Sequence, residues 1–75
     1  MEIQVKLMGM LKEKTPDGGS LDLPAGANIE AALQSLNIPV DSVQIITVNG
    51  TLERDRQHEL QAGDELTVLP PVGGG

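Results

Sequence analysis

The chain has 75 residues, which makes one domain with a single modest core, because a chain this short buries only about 60% of the surface its unfolded form exposes. It has no cysteine and one histidine, His58, which excludes disulfide frameworks, thiolate nucleophiles and metal sites built on cysteine or paired histidines. Eleven acids against five bases give a net charge of -6, which repels nucleic-acid phosphates, and the lack of any aromatic residue removes base stacking and aromatic hot spots.

An acidic surface fits a basic protein partner, or simply keeps a small protein soluble. The core must be built from Leu, Ile, Val, Ala and Met. No stretch approaches the roughly 18 to 20 apolar residues of a membrane span, and "MEIQVKLMGM" carries an acid at position 2 and no cleavage-type segment. These features predict a cytoplasmic protein with neither a membrane nor a nucleic acid as partner.

In chain order, "EIQVKLM" alternates Ile3, Val5 and Leu7 with Gln4 and Lys6, the period-two pattern of a half-buried strand. "KEKTPDGGS", residues 12–20, has the charge, proline and paired glycines of a loop, and Leu21 and Leu23 then alternate around Asp22 as a second strand. A hairpin is expected. Asn28 is placed to cap a helix with Glu30 in its first turn, and Ile29, Ala32, Leu33 and Leu36 fall on one helical face. That predicts about three turns, ended by a left-handed Asn37 and by Pro39. "SVQIITV" is β-branched and nearly continuous, which predicts a strand buried on both faces or close to it. Asn49-Gly50 marks a tight turn. The polar stretch "TLERDRQHEL" offers only Leu52 and Leu60 as anchors, and "AGDELTVLP" gives a turn at Gly63 and Asp64 before a last strand with Leu66 and Val68 inward.

One amphipathic stripe among these strands is most economically buried under a mixed four- to five-stranded sheet. The expected fold is α+β, a β-grasp of the ubiquitin-like kind. If the first and last strands lie side by side at its centre, residues 1–69 form the domain and residues 70–75 an extended, flexible tail leaving a rigid base.

Catalytic arrangements are scarce. His58 sits in the most polar part of the chain, as a solvated loop residue would, and Asp64 and Glu65 point to opposite faces if both lie in a strand. Gly18 and Gly19 precede a strand, the wrong context for a phosphate-binding turn. Met8 and Met10 suit a soft interface patch, with core or edge packing expected for at least one of them. No metal site is expected.

The remaining chemistry is in "LPPVGGG". The terminal carboxylate of Gly75 is ionised at neutral pH, given its ordinary pKa of roughly 3.3 to 3.7, and is able to attack an activated phosphate. Glycine at 73 to 75 suits entry into a narrow cleft where a Cβ would clash, and Pro70 and Pro71 favour an extended strut through their fixed φ. Val72 to Gly75 span roughly 13 to 14 Å when extended. Terminal glycines also occur at frayed ends.

The residues before the tail separate these readings. "VNG" at 48 to 50, "AGDELTVLPPV" at 62 to 72 and the final Gly74-Gly75 resemble the MoaD/ThiS sulfur-carrier family, which comprises the small subunit of molybdopterin synthase and the sulfur carrier of thiamine biosynthesis. The resemblance spans essentially the whole chain. Gly63 and Asp64, Leu69, Pro70, Pro71, Val72, Gly73, Gly74 and Gly75 fill the family's places in register; Leu69 stands where phenylalanine is usual and Gly73 where alanine or threonine is common.

The resemblance implies a β-grasp fold and a reaction performed on the protein rather than by it. It implies that an adenylating enzyme of the ubiquitin-activating type, using ATP and magnesium, couples Gly75 to AMP. A sulfur donor, either a cysteine desulfurase or a sulfurtransferase, then makes the thiocarboxylate. Gly74 and Gly75 would be the reacting end, with Leu69, Pro70, Pro71, Val72 and Gly73 as partner-binding residues and no cofactor bound by the chain itself. Pro-Pro-Val points to the molybdopterin branch, with the synthase large subunit as recipient; thiazole synthase is the recipient in the thiamine branch. A ubiquitin-like modifier, whose activated Gly75 is captured by a lysine, and a β-grasp binding module with an inert tail are the alternatives. The contact surface is expected to include Leu52, Leu60, Leu69 or Val72 next to acidic positions.

Overall fold

The structure is a computed structural model that describes residues 1–71. Strand β1, Glu2–Leu7, buries Ile3, Val5 and Leu7 and exposes the residues between them, as its alternation requires. It pairs antiparallel with β2, Ser20–Asp22, which forms the expected hairpin. Helix α1, Ile29–Ser35, begins where the Asn28 side chain accepts a hydrogen bond from the Ala31 N–H at 2.8 Å. Its stripe of Ile29, Ala32 and Leu33, continued by Leu36, is buried. Asn37 takes a left-handed φ of 59°, a conformation that asparagine tolerates better than most residues.

Strand β3, Ile45–Val48, and β4, Thr51–Leu52, are joined through Asn49 and Gly50, whose φ values of 53° and 82° give the mirror-image turn that matches strand twist. Strand β5, Glu65–Leu69, is the last element. The sheet order is β2-β1-β5-β3-β4, with β5 parallel to β1 and antiparallel to β3. The fold is therefore the five-stranded mixed sheet over one main helix that the β-grasp reading predicts. Leu66 and Val68 of β5 are fully buried together with Ile3, Ile29, Leu33, Ile46 and Leu60. Each such side chain contributes about 1.5–3 kcal/mol of gross transfer free energy.

Four expectations are corrected. Helix α1 has seven residues, about two turns rather than three, because the chain must turn at Asn37 to reach β3. Residues 12–20 are not all loop: 3₁₀ turns at Gly9–Lys14 and Asp17–Gly19 fold this segment down, anchored by buried Leu11. Strand β3 is buried on one face only, since no element among the described residues covers the side of the sheet away from α1; Ile45 is 39% exposed while Ile46 is 2% exposed. Met8 and Met10 are both exposed, and Met1 is the methionine packed against the core, its ammonium donating to the Leu23 carbonyl.

Candidate functional site: the root of the tail and the open sheet face

Because β5 is flanked by β1 and β3, its backbone is held on both sides up to its last residue. The Met8 N–H donates to the Val68 carbonyl at 3.1 Å, and the Gln44 N–H donates to the Leu69 carbonyl at 2.8 Å. Pro70 follows, half-buried beside Gly9. A Cβ on Gly9, whose φ is 57°, would stand 3.0 Å from the Pro70 Cγ, so the glycine lets the proline ring lie close against the backbone. Pro71 is exposed. Sequence reading finds the two prolines but not Gly9, because nothing local links residues so far apart. Val72, Gly73, Gly74 and Gly75, the remainder of the predicted site, lie outside the described residues.

The sheet face away from α1 is open. Register places Ile45 directly opposite Leu69 and Thr47 opposite both Thr67 and Leu52. Met8, one residue beyond the Leu7–Val68 pair, stands level with Leu69. Leu52 is 50% exposed. Met8, Leu69 and Ile45 make an apolar row across the tail end of the face, with Leu52 diagonal to Ile45 beside Thr47. Of the contact residues expected from sequence, Leu52 and Leu69 are accessible; Leu60, at 2% exposure, belongs to the core, where it anchors the polar stretch. Ile45 is an exposed apolar residue beside Leu69 that sequence reading misses, because it is placed on a buried strand there.

The start of β5 is tied down by the residues of the two quoted turns. Asn49 Nδ2 donates to Asp64 Oδ1 at 2.9 Å, and the Glu65 N–H donates to Asn49 Oδ1 at 2.9 Å. Asp64 Oδ2 accepts from the Gln61 N–H at 2.8 Å. Asp64 thus precedes the strand, in the turn where sequence places it with Gly63, and works as a turn brace. His58 Nδ1 lies 3.1 Å from Glu53 Oε1, on the loop where sequence places it. Among the described residues no group of three His, Cys, Asp or Glu is arranged to hold a metal ion. None of their helices is long and apolar enough to cross a membrane.

The model of the ThiS family matches residues 5–75, nearly the whole chain and including the tail. The chain belongs to the ThiS family. The fold of this ThiS-family chain is also that of solved structures. SAMP1 from Haloferax volcanii superposes with a TM-score of 0.75 at 23% identity, covering 100% of both chains. A putative molybdopterin converting factor subunit 1 from Pyrococcus furiosus superposes with a TM-score of 0.75 at 22% identity, covering 96% of this chain and 99% of that one. A chain from the complex of subunits 1 and 2 of the molybdopterin-converting factor of Helicobacter pylori gives 0.61 at 26% identity, covering 100% of both. No curated protein sequence matches this ThiS-family chain. Within the family fold, the geometry above places an apolar surface beside the C-terminal end of a central strand.

Proposed function

We propose that the chain is a sulfur carrier whose substrate atom is the terminal carboxyl carbon of Gly75. The observation that carries this reading is the family match reaching residue 75, on a chain whose final residues follow a central strand braced by hydrogen bonds as far as Leu69. In the first step a carboxylate oxygen of Gly75 attacks the α-phosphorus of ATP, held with magnesium by an adenylating enzyme, and pyrophosphate leaves. The terminal sulfur of a persulfide carried by a cysteine desulfurase or a sulfurtransferase then attacks the acyl carbon, AMP departs with the bridging oxygen, and a thiol reductant cleaves the S–S bond of the resulting acyl disulfide. The thiocarboxylate that remains is the carried sulfur.

In this reading the chain is a co-substrate, and its own contribution is position. A rigid base lets the partner recognise the domain once and receive the tail at a set distance, so that part of the entropic barrier is overcome by binding. Pro70 and Pro71 direct the chain away from the sheet, and Gly73 to Gly75 admit close approach of the backbone. The molybdopterin-converting complex among the similar structures supports the synthase large subunit as recipient, and thiazole synthase is the thiamine-type counterpart.

The likeness to SAMP1, also described as small archaeal modifier protein 1, favours one second reading, in which a lysine amine captures the same acyl-adenylate and the chain becomes a modifier. Intact-mass analysis of untagged protein from its host separates the two. Replacement of one oxygen by sulfur at Gly75 is the expected result; isopeptide adducts instead support the modifier. A chain extended by one residue beyond Gly75 should fold normally and fail to be activated, and retained activation would sink both readings.

A further inference from the structure

Although the net charge is -6, the five cations Lys6, Lys12, Lys14, Arg54 and Arg56 are not spent on the acids. The ion pairs among the described residues join the N-terminal ammonium to Asp22 and His58 to Glu53, and involve no lysine or arginine. Arg54 and Arg56 line an open groove of about 370 Å³ with Ile45, Leu52 and Glu53, where β4 ends and the chain turns away from β3. Two acids flank them in sequence, Glu53 before Arg54 and Asp55 between the two arginines, and both are engaged elsewhere: Glu53 Oε1 with His58 Nδ1 at 3.1 Å, Glu53 Oε2 with the Asp55 N–H at 3.1 Å, and Asp55 Oδ1 with the Gln57 N–H at 2.9 Å. Among the described residues neither guanidinium group has a carboxylate within ion-pair distance, and both stand beside an apolar wall.

We infer that this groove docks an extended, acidic and apolar segment of the protein partner that receives the tail. The inference rests on the carrier reading for the identity of that partner. Charge decides the occupant's sign, since two unpaired arginines on an otherwise acidic molecule attract carboxylates, and arginine suits bidentate recognition of them. Apolar side chains of the occupant meet Ile45 and Leu52. Position decides the partner, because Ile45 is the direct neighbour of Leu69 across the sheet; a protein that holds the tail also covers this groove. The local reversal of charge gives docking an orientation, which is what electrostatic complementarity contributes most strongly.

The test titrates the full chain, followed by backbone amide NMR, with a capped pentapeptide alternating aspartate and valine. Shifts concentrated at Ile45, Leu52, Arg54 and Arg56 are expected, weakening at least about 10-fold in an Arg54→Glu/Arg56→Glu variant and again on raising salt from about 50 to about 300 mM. An Arg54→Gln/Arg56→Gln variant serves if charge reversal disturbs the fold. Equal binding of the same peptide with lysine for aspartate, or no shifts in the groove, overturns the inference. So does a gain of peptide affinity on removing residues 72–75, which would make the chain's own tail the occupant. With the host adenylating enzyme, the charge-reversed chain is expected to show a raised KM and unchanged kcat. Failure of the unaltered chain to be activated at all would overturn the carrier reading instead, while the peptide titration still decides the groove.

Discussion

Asn49 and Asp64, 15 residues apart, share a hydrogen bond of 2.9 Å that joins the turn before β4 to the turn before β5. Asn49 also accepts from the Glu65 N–H and donates its own N–H to the Glu65 carbonyl at 2.8 Å. The two short motifs that carry the family resemblance are therefore one structural unit. It fixes where β5 starts, and β5 in turn sets where the tail leaves the sheet.

Asp64→Ala removes the acceptor for both Asn49 and the Gln61 N–H. Since these bonds lie near solvent, water replaces part of the loss, and a destabilisation of about 1–2 kcal/mol is expected. Urea denaturation of the two proteins measures it. Asp64→Asn, which retains one carbonyl acceptor, should lose less; equal losses for both variants would show that the charge rather than the geometry matters.

Leu66→Ala empties a site at the centre of the sheet, where the side chain is fully buried between β1 and β3. Large-to-small changes of this kind cost about 2–5 kcal/mol. Against a total of about 5–15 kcal/mol for an ordinary domain, that predicts a marked drop in thermal midpoint, visible by circular dichroism in the far ultraviolet. A shift of only a degree or two would mean that the core closes over the cavity.

On the open face, Ile45→Thr keeps the β-branched shape and takes away apolar contact beside Leu69. Stability is expected to change by less than about 1 kcal/mol, while KM for activation rises several-fold with kcat little altered. An unchanged KM would remove the apolar row from the docking surface.

Gly74→Ala adds a Cβ to the reacting end and leaves the body of the domain untouched. Thermal stability should match the parent chain. Activation, followed by ATP-dependent pyrophosphate release, is expected to fall by about 10-fold or more, the scale on which displacements of roughly an ångström act. Normal adenylation would count against the narrow-cleft requirement.

The sequence by itself determined those features whose physical cause is local. Alternation in Glu2–Leu7, the stripe from Ile29 to Leu36, the cap at Asn28 and the left-handed residues Asn37 and Gly50 follow from side-chain period and backbone sterics within a few residues. Together they carry the β-grasp, and the tail motif carries the family. Only the tertiary structure decided that one face of β3 is bare, because its composition suits burial on either side and the sheet order alone leaves Ile45 uncovered. The contact of Gly9 with Pro70, the burial of Leu11 and Leu60, and the brace between Asn49 and Asp64 likewise join residues that no short-range pattern connects; they appear only once β1 and β5 lie parallel at the centre of the sheet.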